Sequence, residues 1–217
     1  MLPATDITSA DKMNALLASY SAGSLSPAMQ ALVIGHLELS KHNHGFVAAL
    51  DGLQGEALLD NGAEALLDRE ACLSAIFSRA DVPEVPLSRP VVMPLALRNF
   101  VGTDLDAIKW RSLWPGIKEC RLGDEGQGGA VLYWIKAGRK MPSHTHDGSE
   151  ATLVLSGAFS DKYGRYGRGD VAIADADVDH QPVVDKEGDC ICFAVTDAPL
   201  RLTGPIGRVL DRLFGHH

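Results

Sequence analysis

Two histidines and a glutamate stand close together in residues 138–157, GRKMPSHTHDGSEATLVLSG. His144 and His146 are two positions apart, so in an extended segment both side chains project from the same face. Glu150 can return to that face across a short turn, and His180 follows in the segment GDVAIADADVDH. Three imidazole nitrogens and one carboxylate oxygen would then converge on one divalent metal ion.

These donor types narrow the choice of metal only in part. Imidazole and carboxylate ligands suit zinc, iron(II), manganese, nickel or copper, and the residue types do not choose among them. A second interpretation makes His144 and His146 exposed loop histidines beside Asp147, which is the usual environment of an isolated HxH pair. The presence of Glu150 and His180 favours the metal site.

The spacing of these residues resembles the two sequence motifs of the cupin family. The first motif places a glycine, an HxH pair, a glutamate and a second glycine at fixed intervals, and it is met at Gly138, His144, His146, Glu150 and Gly157. The second motif is met at Gly169 and His180, whereas the turn residues before and after His180 differ from it. The resemblance implies a cupin barrel with all four metal ligands present.

The composition is that of a globular protein. The chain has 217 residues, 46% of them hydrophobic, which is enough for one large domain or two small ones with a buried core. No apolar run approaches the roughly 20 residues needed to cross a bilayer, and no secretory signal is recognisable at the N-terminus. We therefore expect a cytoplasmic protein that does not associate with membranes.

The cysteines and the distribution of charge indicate which kinds of function are favoured. Cys190 and Cys192 lie on one face of the apolar segment CICFAV, where buried thiols are favoured over a redox-sensitive pair inside the barrel. Residues 1–85 carry a net charge of −7, out of −8 for the whole chain. This bias argues against direct nucleic-acid binding and suits a basic protein partner, although a solvated acidic surface also produces it.

Four helices are predicted in the first part of the chain. The first covers residues 10–20 with Ser9 as its N-cap, and the second begins at Ser26 and Pro27, a cap followed by a first-turn proline. A third covers residues 44–59. The fourth covers residues 66–81 and has an apolar side that we expect to be buried, formed by Leu66, Leu67, Cys72, Leu73, Ile76 and Phe77.

His36 lies on the apolar stripe of the second helix, where a histidine is more often a packed core residue than a ligand. Residues 16–53 resemble the N-terminal domain of zinc-binding anti-sigma factors, especially the ChrR family, in which a cupin domain follows. Of that family's HxxxCxxC zinc motif, His36 matches the histidine, Ser40 and Asn43 stand at the cysteine positions, and Asp11 aligns with the upstream ligand.

Serine and asparagine lack the soft thiolate that zinc prefers. We therefore expect packing and hydrogen bonds in place of a structural zinc in this half of the chain. A substitute metal site using His36 with His44 is the alternative.

A proline-rich stretch divides the helical pattern from a run of short apolar segments separated by glycine and aspartate. We predict an α+β protein in two domains. A small helical, anti-sigma-like domain covers residues 1–82, a linker covers 83–97, and an antiparallel β-barrel of the cupin or jelly-roll type covers 98–217, closed by a C-terminal helix.

The resemblance to ChrR implies a negative transcriptional regulator. It implies that the helical domain sequesters an alternative, extracytoplasmic-function sigma factor and that a metal-bound cupin domain senses an oxidant or a small-molecule ligand in an oxidative stress response. Zinc is the first choice of metal, with iron, manganese and nickel as alternatives. A third interpretation is a cupin sensor that no longer binds a sigma factor.

The competing function class is a cupin metalloenzyme such as an iron-dependent dioxygenase. Four protein ligands close the shell of tetrahedral zinc but leave open positions on six-coordinate iron, so the metal separates the two classes. No independent catalytic constellation is recognisable, and we predict a regulator without catalytic residues.

Overall fold

The computed structural model describes residues 8–60, 62, 67–78, 93–122, 129–146, 148–175, 179–197 and 200–203, with the backbone alone at 146 and 200–202. In this part of the chain, α-helices come first and β-strands follow. The helices are α1 (Ser9–Ser21), α2 (Pro27–Leu39), α3 (His44–Asp60), α4 (Arg69–Phe77) and α5 (Leu95–Val101). A single 3-10 turn, Leu105–Ala107, leads into the strands.

The strands in the described residues pair in antiparallel fashion into three sheets. A six-stranded sheet has the order β1-β2-β3-β10-β5-β8, a two-stranded sheet contains β11 and β4, and a three-stranded sheet has the order β7-β6-β9. Their bounds are β1 Arg111–Trp114, β2 Ile117–Leu122, β3 Gly129–Ile135, β4 His144–His146, β5 Glu150–Ser156, β6 Ala158–Ser160, β7 Arg165–Gly167, β8 Val171–Ala174, β9 Val183–Val184, β10 Cys190–Thr196 and β11 Leu200–Leu202.

This architecture confirms the predicted fold class, an α+β chain with helices first and an antiparallel, cupin-like β half second. Among the described residues the sheets stay separate and do not close into one continuous cylinder. Most of the predicted linker and the predicted C-terminal helix lie outside the described residues, so the boundaries at 82 and 98 stay predictions. None of the described helices combines the length and the apolar composition that a membrane crossing requires.

The helix starts follow local capping chemistry. The Ser26 side chain accepts a hydrogen bond from the Met29 backbone N–H at the start of α2, with Pro27 in the first turn, as predicted. For α1 the predicted cap, Ser9, is wrong, because Thr8 is the N-cap and Ser9 is already helical. Thr8 and Asp11 form a reciprocal capping box, which satisfies two backbone N–H groups instead of one.

The apolar side predicted for the fourth helix is not buried within this chain. Among its described members, Cys72 is exposed and Leu73 is half-buried, and the exposed fractions of Leu67, Ile76 and Phe77 are 106%, 60% and 83%. Helical periodicity identifies an apolar face but does not show what covers it. Leu66 lies outside the described residues.

Helices α1, α2 and α5 pack on the outer face of the six-stranded sheet, and the two halves share one hydrophobic core. Alternate residues of β5 point in opposite directions, so Leu153 and Leu155 pack with the helices while Val154 packs inside the β half. Gly35 lets α2 approach this face closely, because a Cβ at that position would lie 3.1 Å from a methyl carbon of Leu153. The sheet is therefore buried on both faces where the helices cross it.

Candidate metal centre

A cavity of about 50 Å³ lies between the six-stranded and three-stranded sheets, with room for a few water molecules or one small molecule. We call it the inner cavity. Aromatic and aliphatic side chains form much of its wall. Its polar wall includes Tyr133, His144, Glu150, Thr152, Asp161 and His180.

Three of the four predicted metal ligands bring their donor atoms together in the inner cavity. One ligand atom each from His144, Glu150 and His180 lies within 4.8 Å of the others, and all three residues are buried. His144 and His180 form an isolated antiparallel bridge and exchange backbone hydrogen bonds of 3.2 and 3.1 Å. This bridge brings the two imidazoles into an edge-to-face contact, with their Nε2 atoms 2.9 Å apart.

The second ring nitrogen of each histidine fixes its tautomer. The Nδ1–H of His144 donates to the carbonyl oxygen of Pro142 at 2.8 Å, and the Nδ1–H of His180 donates to the Asp161 carboxylate at 3.2 Å. Because a carbonyl and a carboxylate only accept, both protons belong on Nδ1 and both Nε2 atoms present lone pairs. Two facing lone pairs at 2.9 Å repel unless a cation or a shared proton lies between them.

The distance between the two Nε2 atoms fits a metal ion. Two nitrogens that each lie about 2.1 Å from one ion stand about 3.4 Å apart at a tetrahedral angle, and about 3.0 Å apart at the right angle of an octahedral site. The observed 2.9 Å is close to the second value. With the Glu150 carboxylate beside them, the donors are those of a transition-metal or zinc site in a buried pocket.

Asp161 supports the centre and was not found by sequence analysis. Its Oδ2 accepts from His180, and its Oδ1 accepts from the backbone N–H groups of Tyr163 and Gly164 at 2.8 and 3.1 Å. Burial raises the pKa of Asp161, but these hydrogen bonds outweigh it and the pKa is lowered, so the carboxylate is charged at neutral pH. The sequence signal was the tight turn SDKYG, in which an aspartate commonly binds its own backbone.

The fourth predicted ligand, His146, ends strand β4, where its backbone pairs with Leu200. Its side chain lies outside the described part of the structure. A ligand function for His146 therefore stays a prediction.

The thiols of Cys190 and Cys192 lie on the inner face of β10 and are buried. A hydrogen bond with Cys190, followed by burial, raises the pKa of Cys192 well above its ordinary value. A protonated, buried thiol is a poor nucleophile. The geometry favours packing over redox chemistry for this pair.

The residues aligned with the anti-sigma zinc motif have other partners. His36 is buried, with Nδ1 donating to the Gly169 carbonyl oxygen at 2.6 Å and Nε2 accepting from the Asn43 amide at 2.9 Å. Asp11 belongs to the capping box of α1, and Ser40 follows the last residue of α2 and accepts from the His42 backbone N–H. The structure thus joins His36 with Asn43, and hydrogen bonds occupy both nitrogens of the imidazole.

The alternative pairing of His36 with His44 is not formed, since the His44 Nε2 atom donates to the carbonyl oxygen of Leu37 at 2.7 Å. Among the described residues, the inner cavity is where histidine and carboxylate donors cluster closely enough for a metal ion.

Known proteins resemble this chain over most of its length. The family model of the ChrR cupin-like domain matches residues 98–199. Over 208 residues the chain is 36% identical to the anti-sigma-E factor ChrR of Cereibacter sphaeroides, an alignment that covers 93% of this chain and 95% of that protein. The chain belongs to the ChrR family of anti-sigma factors. ChrR membership confirms the predicted resemblance.

A solved ChrR structure shows the same fold. In the crystal structure of Rhodobacter sphaeroides SigE in complex with the anti-sigma ChrR, one chain matches with a TM-score of 0.66 and 38% identity, covering 85% of this chain and 96% of that chain. The ChrR-family chain described here is a regulator rather than an enzyme, as predicted.

Proposed function

We propose that the protein holds an alternative, extracytoplasmic-function sigma factor inactive through its helical half and senses an oxidant or small ligand through a metal ion in the inner cavity. The helical domain covers residues 1–82 and the cupin domain 98–217 in this proposal. Similarity to ChrR over 93% of the chain, and to a ChrR solved in complex with SigE, supports the choice of partner. Acting on a sigma factor, the protein works in the cytoplasm and contacts no nucleic acid directly.

The observation that carries this proposal is an uncovered apolar surface on two consecutive helices. Six large apolar side chains in this region are each at least 60% exposed. They belong to α3, to α4 and to the residue just before the N-cap of α4: Leu53, Leu58, Leu59, Leu67, Ile76 and Phe77. We call them the α3–α4 surface. A monomeric protein seldom exposes so many large apolar side chains on two consecutive helices without a partner, and the net charge of −7 on residues 1–85 favours a basic one.

The sigma-binding test uses substitutions of exposed residues that leave the core intact. Leu58→Ser and Phe77→Ser remove apolar area from the α3–α4 surface, and Leu95→Ser removes it from α5, where Leu95 is also 57% exposed. Each protein is co-expressed with the sigma factor of the neighbouring gene, and affinity is measured by isothermal titration calorimetry. We expect at least about a tenfold loss of affinity for the first two variants and no loss for the third.

Unchanged affinity in Leu58→Ser and Phe77→Ser excludes the α3–α4 surface as the binding site. A wild-type protein that binds no sigma factor supports instead a cupin sensor that has lost this partner.

We further propose that His144, His146, Glu150 and His180 hold one divalent metal ion, with zinc favoured and iron, manganese or nickel as alternatives. The paired imidazoles at 2.9 Å and the buried carboxylate support this donor set. Zinc with four protein ligands would act as a closed structural centre, whereas iron would keep positions open for oxygen or a ligand. In either case these residues join β4, β5 and the segment that contains His180.

Elemental analysis of the purified protein tests the metal proposal. We expect about one metal ion per chain in the wild type and almost none after His144→Ala with His146→Ala, because the double variant removes half of the donors. His42→Ala, an exposed histidine outside the cavity, is the control and should keep the metal. The double variant should still bind the sigma factor but lose its response to the oxidant; full metal content in that variant would place the ion elsewhere.

A further inference from the structure

Strand β8 forms a wall between two spaces. Ile173 and Ala174 line the inner cavity, and they also line a cleft of about 460 Å³ that separates the strand from helices α1 and α2. We call this the interdomain cleft. Glu150 lines both spaces as well. One wall thus faces the proposed metal ligands on one side and the helical half on the other.

The helical half holds the start of this wall through a buried contact. The imidazole Nδ1–H of His36 in α2 donates to the carbonyl oxygen of Gly169, two residues before β8, at 2.6 Å. Gly169 has a φ of +90°, and a Cβ there would lie 3.2 Å from the Cβ of Leu39, so the turn fits closely against the end of α2. Asn43 holds the other side of the same imidazole.

The helical half holds the end of the wall through an ion pair. The Lys12 ammonium of α1 lies 2.5 Å from a carboxylate oxygen of Asp175, the residue directly after β8. The two side chains are 21% and 39% exposed, so solvent screens part of their attraction. A strand of four residues is therefore held at both ends by two different helices.

The same strand is joined to the metal centre by the sheet ladder. Ala174 pairs with Glu150 and Ala172 pairs with Thr152 in the antiparallel register of β8 and β5. The turn at Gly169 is also attached to β5, since its N–H donates to the Val154 carbonyl oxygen at 2.8 Å. A displacement of Glu150 must therefore move β8, or break ladder hydrogen bonds.

We propose that β8 is the coupling element of the protein: the contacts of His36 with Gly169 and of Lys12 with Asp175 transmit the state of the inner cavity to helices α1 and α2. This deepens the proposed function and rests on its metal centre. The imidazole at the zinc-motif position of the family here serves as an interdomain contact. By thermodynamic linkage, if the bound metal changes the affinity of the helices for a partner by some factor, that partner changes the affinity for the metal by the same factor.

Hydrogen–deuterium exchange of the full chain, metal-free and loaded with one equivalent of zinc, tests the coupling without a sigma factor. In the wild type, we expect zinc to slow exchange in α1 and α2 by at least about threefold. Lys12→Met and His36→Ala remove one contact each and should reduce that protection to less than half, while zinc content and the protection of β10 stay unchanged.

Lys41→Met and His44→Ala are the matched controls, because both residues are exposed and neither contacts Gly169 or Asp175 among the hydrogen bonds and ion pairs of the described residues. Both controls should keep the wild-type response. If His36→Ala does not fold, Lys12→Met alone tests the coupling, because this substitution changes a side chain at the domain surface and should leave the fold intact.

Wild-type protection in both contact variants overturns the coupling proposal, and so does a zinc-loaded wild type whose helices exchange as fast as in the metal-free protein. Absence of any bound divalent metal, whether zinc, iron, manganese or nickel, overturns the metal centre and the coupling together. A failure to bind the sigma factor, measured separately, overturns only the sequestration proposal.

Discussion

At the scale of single residues, the proposed centre depends on a carboxylate that is not itself a ligand. Asp161 accepts the Nδ1 proton of His180 and is held in place by two backbone N–H groups. Such a partner fixes the ring orientation, keeps Nε2 unprotonated and raises the basicity of the ligand. Asp161 thus holds the imidazole of His180 in the orientation that the proposed metal site requires.

Replacing Asp161 should lower the affinity for the metal ion without unfolding the site. In Asp161→Asn, an amide that donates to Nδ1 favours the tautomer with its proton on Nε2, where the metal should bind. We expect about a tenfold loss of zinc affinity, measured by competition with a chromogenic chelator. Asp179→Asn is the control, because Asp179 is adjacent to His180 but accepts a hydrogen bond from Thr203. Equal affinities for both variants would refute a positioning function for Asp161.

The histidine of α2 shows how burial sets a protonation state. The pKa of His36 is lowered, first because burial disfavours the imidazolium, while the Gly169 carbonyl and the Asp170 carboxylate offset part of this and His42 and His44 add to it. Neutral His36 matches its bonding, with one nitrogen donating and the other accepting.

This protonation state predicts acid sensitivity. In the unfolded chain His36 takes up a proton near its ordinary pKa of 6.5, but in the folded chain only at lower pH. Its contribution to stability is therefore full above pH 6.5 and falls as the pH drops from there to the folded pKa. Urea unfolding at pH 7.5 and 5.5 should show a smaller loss of stability on acidification in His36→Gln than in the wild type. Equal losses would contradict a neutral, buried His36.

The residues proposed as metal ligands could be recognised from the sequence to the extent that local spacing brings them together. His144 and Glu150 lie within one turn of the chain, and the cupin motif supplied His180. Asp161 could not be predicted as its partner, because no short pattern records which turn faces His180. The contact of His36 with Gly169 joins residues 133 positions apart and depends on how the two halves pack.

At the scale of elements, α5 begins without a cap of its own. Its N-cap position is Pro94, which makes no side-chain hydrogen bond. Glu38 of α2 takes over this function, since its two carboxylate oxygens accept from the backbone N–H groups of Leu95 and Ala96 at 2.7 and 3.0 Å. A charge at this end also complements the dipole of α5.

Glu38→Ala should therefore destabilise the fold through α5. We expect a loss of about 1–2 kcal/mol in the free energy of unfolding, the range of a lost N-cap, measured by urea denaturation. Glu56→Ala removes an exposed glutamate from α3 and should change stability by less than about 0.5 kcal/mol. A loss of equal size in both variants would mean that Glu38 acts through general charge and not as a cap.

The helices also show which sequence signals are sufficient to predict where a helix starts and which of its faces is buried. Ser26 followed by Pro27 marked the start of α2 correctly, because capping involves only the next few residues. The sequence prediction places the cap of α1 at Ser9, one position after the true cap Thr8, although Asp11, which completes the capping box, is present in the sequence. The apolar side of α4 was recognised but expected to be buried, since periodicity cannot distinguish a core from a partner.

At the scale of the whole molecule, the helical half and the β half are joined by one core. Leu17, Leu32 and Val33 of the helices pack in the same cluster as Leu153 and Phe193 of the sheet, and all five are fully buried. If either half unfolds, the core side chains of the other half also become exposed to water. The two halves are therefore expected to unfold together. Such a body also provides the stiffness that coupling through β8 requires.

A core substitution, followed with two spectroscopic probes, tests whether the two halves unfold together. The three tryptophans, Trp110, Trp114 and Trp134, all lie in the part of the chain that follows the helices, whereas far-ultraviolet circular dichroism reports mainly on helix. Leu32→Ala in α2 should cost about 2–5 kcal/mol, because it leaves a cavity against the sheet, and should shift the urea midpoints of both probes equally. Leu59→Ala, on the exposed α3–α4 surface, should shift neither. If the helical signal of Leu32→Ala were lost at lower urea than the tryptophan signal, the helices would be a separate folding unit, and the cavity could not act on them through a common core.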